Sequence, residues 1–111
     1  TPRVGETVRC QVDWPRRLDH IQQHTGQHIL SQAFIRLCNA ETRSFRMMQE
    51  SSEIDVALND PTDERIEQAG ELANRIIWED RPVSIRHASA AEAAALPLRI
   101  PPMTDWYVYA K

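Results

Sequence analysis

Three of the four histidines, His20, His24 and His28, stand four residues apart. On a continuous helix that spacing stacks them on one face. Two imidazoles at i and i+4 can close on one metal ion, each nitrogen about 2.0–2.1 Å from a zinc. All three cannot, because His20 and His28 would lie ~12 Å apart along the axis at about 1.5 Å per residue. At most one adjacent pair therefore shares an ion. Thr25 occupies the position where the HExxH metalloprotease signature needs its glutamate, so that chemistry is excluded. Two ligands also fall short of the three that a catalytic zinc ordinarily takes from protein. Cys10 and Cys38 fall at apolar-patterned positions and read as two buried, reduced thiols, and His87 belongs to an expected strand and could face either way. On the residues alone, the pair is either half of a metal site or two boundary histidines with no ligand.

The elements that must position the histidines follow from periodicity. Val8, Cys10, Val12 and Trp14 alternate with polar residues, which predicts a half-buried strand ended by Pro15. From Arg16 to about Asn39 the period becomes helical. Leu30, Ala33, Phe34, Leu37 and Cys38 form a core-facing stripe, with Phe34 and Trp14 expected in the core. Gly26 weakens the middle of this stretch by ~1 kcal/mol relative to alanine, which leaves open a short helix followed by a longer one from near Thr25. Phe45 and Met47, then Ile54, Val56 and Leu58, alternate on either side of Gln49–Ser52 and predict a hairpin with a loop of about four residues. Asp60-Pro61 opens a second helix, with Ile66, Ala69, Ala73, Ile76 and Ile77 as its buried face and an end near Glu79, before Pro82. Val83, Ile85 and His87 predict a strand, and Ser89 with Glu92 a capping box on a short helix. Pro97, Pro101 and Pro102 make an extended connector, and Trp106–Tyr109 a last strand. The order implies an α+β fold, an antiparallel sheet packed against two main helices.

At 111 residues the chain is one domain with room for one modest core. Apolar residues are 41% and charged residues 26%, so wholesale disorder is excluded, and no apolar run is long enough to span a membrane. The net charge of −3 is uneven: residues 1–48 carry seven arginines against four acids, and residues 49–111 carry six basic residues against twelve acids. Only the first part could face a phosphate backbone, and its surplus is small.

The words around the histidines are specific. The run from Trp14-Pro15-Arg16-Arg17-Leu18-Asp19-His20 through His24-Thr25-Gly26-Gln27-His28-Ile29-Leu30 to Ala33-Phe34 closely resembles the alanyl-tRNA editing family. These are free-standing proteins related to the editing domain of alanyl-tRNA synthetase and the second additional domain of threonyl-tRNA synthetase. Ser44–Asp55, Ala73–Ile77 and Arg81-Pro82-Val83 support the likeness, which covers about residues 4–102. The resemblance implies a cytoplasmic hydrolase that deacylates tRNA(Ala) mischarged with serine or glycine. It also implies a zinc site built from the HxxxH pair, here His24 and His28, and a later CxxxH. A zinc ion there could orient the aminoacyl end and activate a water. Arg16 and Arg17 would contact acceptor-stem phosphates, and Gln27 would approach the aminoacyl group.

The sequence departs from that pattern. No cysteine follows Cys38 and no histidine follows His87, and Arg46 stands where the family often has a histidine. Residues 1–111 thus read as a single, partial editing domain, with 1–14 the last strand of a preceding β-barrel and 97–111 a connector and truncated final strand. With half the ligands missing, the chain as given is expected to hold zinc weakly or not at all and to be a weak or inactive enzyme, either a piece of a larger editing protein or a degenerate relative. Two other readings stand beside it. One is a non-catalytic module that keeps the fold and docks tRNA or a protein. The other is a homodimer formed through an uncovered edge at Trp106–Tyr109.

Overall fold

A computed structural model describes residues 1–97 and the backbone of 106–110. The chain divides into two compact units, Thr1–Arg75 and Ile76–Lys111. The architecture is α+β, with all strand pairing antiparallel among the described residues.

The first unit is organised by α1, Trp14–Cys38, a single helix of 25 residues. Asp13 caps its start: the Asp13 carboxylate accepts the Arg16 N–H at 3.3 Å, and proline sits in the first turn, where its missing N–H costs nothing. At the other end Asn39 adopts the left-handed conformation (φ 51°), and the N–H groups of Asn39 and Ala40 return to the carbonyls of Ile35 and Phe34 at 2.9 and 3.3 Å. That closes the helix without glycine, because asparagine tolerates positive φ better than most residues. Gly26 does not divide the helix. Its cost falls inside a helix secured at both ends and packed along one side.

These caps also account for an expectation that fails. Residues 8–13 form no strand, and Trp14 is the first residue of α1 rather than the last of a strand. Val8, Cys10, Val12 and Trp14 are exposed. Alternation prepares a segment for a ladder but does not supply the partner. β1 pairs with β2 and β3 with β4, and no described strand lies beside residues 8–14.

β1 (Thr42–Met47) and β2 (Ser52–Val56) form the expected hairpin, closed by Met48 N–H donating to Ser51 O at 2.9 Å. Phe45 faces Ile54 and Arg46 faces Glu53, whose side chains form an exposed ion pair at 2.7 Å, worth about 0–1 kcal/mol. Between Thr42 and Ser44 the register slips: two steps along β1 match one along β2, from Val56 to Asp55. The extra residue breaks the pleat, so Thr42 and Ser44, which a regular strand would place on one face, make different contacts. The Ser44 hydroxyl donates to the Asp55 carboxylate across the hairpin, while the Thr42 hydroxyl donates to Ser31 Oγ on α1 at 2.8 Å.

α2 spans Asp63–Trp78. Its cap is Thr62, whose hydroxyl accepts the Arg65 N–H at 3.3 Å, rather than Asp60, which adopts left-handed backbone with φ 55°. The Arg65 guanidinium donates to the Asn59 carbonyl at 2.7 Å and secures that bend. The core gathers Ala33 and Phe34 of α1, Ala40, and Ala69 and Ala73 of α2, with Ile29, Leu30, Cys38, Val56, Leu58 and Leu72 packed against it. It is narrower than the apolar stripes imply. The α2 alanines are buried, but Ile66 and Ile77 are half exposed, as is Leu37 on α1. Cys38 is half-buried and Cys10 exposed, so the thiols are not a buried pair.

In the second unit β3 (Val83–His87) pairs with β4 (Trp106–Ala110), Ile85 opposite Val108. α3 (Ala90–Ala94) carries the expected capping box. The Ser89 hydroxyl accepts the Glu92 N–H at 3.2 Å, and the Glu92 carboxylate accepts the Ser89 N–H at 2.8 Å. That backbone N–H, first, and the Ser89 hydroxyl hold the Glu92 carboxyl below its ordinary range. Pro97 is exposed; Pro101 and Pro102 of the expected connector lie outside the described residues.

Two stability predictions follow from the ends of α1 and its link to β1. Asn39→Ala should destabilise the chain by about 1–2 kcal/mol because it places a Cβ-bearing residue without asparagine's tolerance at positive φ, whereas Asn39→Gly should be neutral or stabilising. Ser31→Ala removes the acceptor of two hydrogen bonds in a site only 1% exposed and should cost about 1–3 kcal/mol. Urea denaturation followed by circular dichroism reads both.

Candidate active site

The unbroken α1 places His24 and His28 one turn apart with their rings converging. Their Nε2 atoms are 3.3 Å apart, the ring centroids 4.8 Å, and the ring planes cross at 68°. Two nitrogens bound to one tetrahedral zinc at about 2.0–2.1 Å would stand about 3.3–3.4 Å apart. The pair therefore already has the separation of two corners of such a site. Both residues are exposed, so the pair lies at the surface rather than within the hydrocarbon core. His20, one turn earlier, is half-buried.

Among the described residues, no group of three or more histidine, cysteine, aspartate or glutamate side chains gathers where it could hold a metal ion. The site as described is a pair of imidazoles.

The same face of α1 continues downward into polar rather than apolar burial. Gln27, one residue before His28 and three after His24, is 9% exposed, and Ser31, three after His28, is 1% exposed. Gln27 Nε2 donates to Ser31 Oγ at 2.8 Å, and the Thr42 hydroxyl donates to the same oxygen. A chain of three polar side chains thus ties the histidine face to the first residue of β1. Its place between the two histidines singles out Gln27 in the sequence, and nothing of that kind singles out Ser31 or Thr42. The available signal is a small polar residue between Leu30 and Ala33 on the core-facing side of the helix, where a hydroxyl needs a partner.

Arg16 and Arg17 lie in the first turns of α1, both exposed, and that turn contains no acid. The amide dipoles make this end of a helix positive, so two cations there are unfavourable for stability and favourable for an incoming anion. Arg17 precedes His24 by seven residues, two turns, which sets it on nearly the same face about 10 Å away along the axis. Trp14 is exposed rather than in the core, whereas Phe34 is a core residue. No helix among the described residues is long and apolar enough to cross a membrane.

No protein-family profile matches the chain, but curated proteins do. The alanyl-tRNA editing protein AlaX-L of Pyrococcus horikoshii is 36% identical over 99 residues, which cover 88% of this chain and 24% of that protein. The alanyl-tRNA editing protein Aarsd1 of Mus musculus is 34% identical over 85 residues, covering 77% of this chain and 21% of that protein. The alanine–tRNA ligase of Pyrococcus abyssi is 32% identical over 94 residues, covering 82% of this chain and 10% of that protein. The chain spans about a quarter or less of the length of these relatives. Joined to the histidine geometry of α1, this likeness identifies the chain, over the stretch so aligned, as belonging to the alanyl-tRNA editing protein family.

Proposed function

We propose that the His24/His28 face of α1 takes part in hydrolysing the aminoacyl ester of tRNA(Ala) mischarged with serine or glycine, with zinc as cofactor and the tRNA acceptor end as partner. The observation that carries this reading is the 3.3 Å separation of the two Nε2 atoms. The imidazoles fit a zinc ion as two of its ligands, and the described residues supply no third. A zinc ion held there would supply Lewis acidity toward the ester carbonyl and a means of activating water.

The chain's own residues do the rest. Arg16 and Arg17 meet acceptor-end phosphates at the positive end of α1, which positions the RNA without reading its sequence. Gln27 lies beside the histidine pair and meets the aminoacyl group. With two ligands among the described residues, the chain is expected to hold zinc loosely and to hydrolyse slowly or not at all by itself. That shortfall favours a second reading, a module that keeps the tRNA-binding face of the fold without turnover.

Three measurements separate these readings. Titration with zinc, or with cobalt as a spectroscopic probe, should show one weak site. Either His24→Ala or His28→Ala should weaken it at least about tenfold, the equivalent of ~1.4 kcal/mol. Metal affinity indifferent to both substitutions would remove the zinc reading. Replacing Arg16 and Arg17 by alanine should lower the salt dependence of tRNA(Ala) binding by a slope of about 1 for each lost phosphate contact. Zinc-dependent release of serine from Ser-tRNA(Ala) by the chain itself would favour the enzyme over the binding module.

A further inference from the structure

Trp14 is a large aromatic side chain that the fold leaves uncovered. It is 60% exposed, and Leu18 and Ile21, which share its side of α1 by helical spacing, are each 40% exposed. Single apolar residues at a surface are ordinary, but a contiguous group of them marks a place where something binds. Trp14 also walls an open depression of about 540 Å³, whose other lining residues are Gln11, Val12, Asp13 and Pro15. That volume lies within the range of small-molecule sites, about 300–1,000 Å³. Being open on one side, the depression can cover one face of a flat ring without enclosing it.

Charge decides what the depression suits. The nine residues Arg9–Arg17 contain three arginines and one acid. The acid, Asp13, is committed to the helix cap, where its carboxylate accepts the Arg16 N–H at 3.3 Å. An aromatic face in basic surroundings matches an anionic polymer that carries flat rings, since the bases of single-stranded nucleic acid stack on aromatic side chains while cations track the phosphates. Trp78 supplies the contrast. It is 88% exposed, yet Glu79 and Asp80 follow it directly, and their charges repel a phosphate backbone. An apolar protein surface laid over the depression would strip water from the Gln11 amide and return nothing, whereas a base edge offers that amide both a donor and an acceptor. Trp14 also stands in line with the histidines. It precedes His24 by ten residues, about 15 Å along the axis and about 80° round it, and Arg17 lies between the two in both respects.

We infer that Trp14 is a stacking platform for an unpaired base of the tRNA acceptor end, upstream of the terminal nucleotide that carries the ester, with the Gln11 amide placed to bond the edge of that base. This rests on the reading of Arg16 and Arg17 as acceptor-end contacts and adds to it a task that phosphate contacts cannot perform. Cations on a backbone hold paired and unpaired strands alike. A base can lie on an indole only when it is free of its own partner, so the start of α1 tells the single-stranded 3′ end from the paired stem. A strand with one base fixed at Trp14 and a phosphate at Arg17 is thereby directed along α1 toward His24 and His28.

The test uses the full 111-residue chain and two RNA probes, with affinities read by fluorescence anisotropy at one fixed salt concentration. One probe is a hairpin of the tRNA(Ala) acceptor stem with its unpaired 3′ end, and the other is the same hairpin with that end removed. The wild type should bind the tailed hairpin at least about fivefold more tightly, the low end of what one stacked base supplies. Trp14→Leu should bring the two affinities within about twofold of each other, while Trp14→Phe should keep the wild-type preference to within about twofold. Replacing Arg16 and Arg17 by alanine should weaken both probes alike and leave their ratio unchanged. Leucine is a good helix former, and far-ultraviolet circular dichroism checks that Trp14→Leu folds; Trp14→Met carries the test if it does not. A preference that survives Trp14→Leu, or that Trp14→Phe loses to the same degree, overturns the stacking platform. Equal wild-type affinity for the two probes overturns it as well and leaves the phosphate contacts standing. Failure of the wild type to bind either probe overturns the acceptor-end reading itself. Concentration-dependent mass in sedimentation that Trp14→Leu abolishes assigns the face to a second copy of the chain and overturns its assignment to RNA.

Discussion

The continuity of α1 through Gly26 is the constraint on which the site depends. Had the helix broken there, His24 and His28 would belong to different segments, and their Nε2 atoms would have no reason to stand 3.3 Å apart. Glycine in mid-helix costs about 1 kcal/mol, a sum the ends of α1 can supply. Asp13 satisfies an orphan N–H at the start, and Asn39 turns the chain back on itself at the finish. The buried Ala33 and Phe34 anchor the second half. An i to i+4 spacing on such a helix stacks the two side chains on one face, and the rings meet there edge to face. Their exposure and their alignment are compatible for that reason.

Below the histidines the helix does something less ordinary. Most of its core-side contacts are small and apolar, and the alanines of α2 share that character. Gln27 and Ser31 interrupt the pattern with polar groups that an apolar pair of similar volume could replace without loss of stability. Hydrophobic packing specifies proximity but tolerates sliding, whereas a hydrogen bond from Thr42 to Ser31 specifies register between a strand and a helix turn. The bulge in β1 is part of the same device, since it gives Thr42 a partner on α1 while its near neighbour Ser44 stays bonded across the hairpin.

What the sequence made legible is local. The histidine spacing, the helical period through Cys38, the hairpin with its four-residue connection and the Ser89–Glu92 capping box all depend on residues within a few positions of one another, and the structure contains each. What it obscured depends on partners distant in sequence. The alternation at Val8, Cys10, Val12 and Trp14 is a sound strand pattern, but a strand exists only against another, and Asp13 with Pro15 serves a helix start as well as a strand end. Asp60-Pro61 is as good a helix opening on paper as Thr62, and the choice falls to Thr62 because Arg65 ties down the preceding carbonyls of Asn59 and Asp60. The isoleucines at 66 and 77 follow the helical period, yet the close approach is made by Ala69 and Ala73, so periodicity marked the correct face and overestimated its width.

The candidate site shows the same division more sharply. His24 and His28 can be named from spacing because a single helix brings them together. Ser31 and Thr42 cannot, because ten residues and a left-handed turn lie between them and a bulge directly after Thr42 sets its contact. Residues that a site gathers along one element are visible in a sequence, and residues that aim them from another element are not. That asymmetry bears on how α1 could serve in a protein several times longer than this chain, as the curated relatives are. The contacts described here among His24, His28, Gln27, Ser31 and Thr42 all lie within Trp14–Val56, on one helix and the hairpin bonded to it. For the zinc site proposed above, a longer chain would have to add ligands rather than alignment, because the two nitrogens already stand about as far apart as two corners of a tetrahedron.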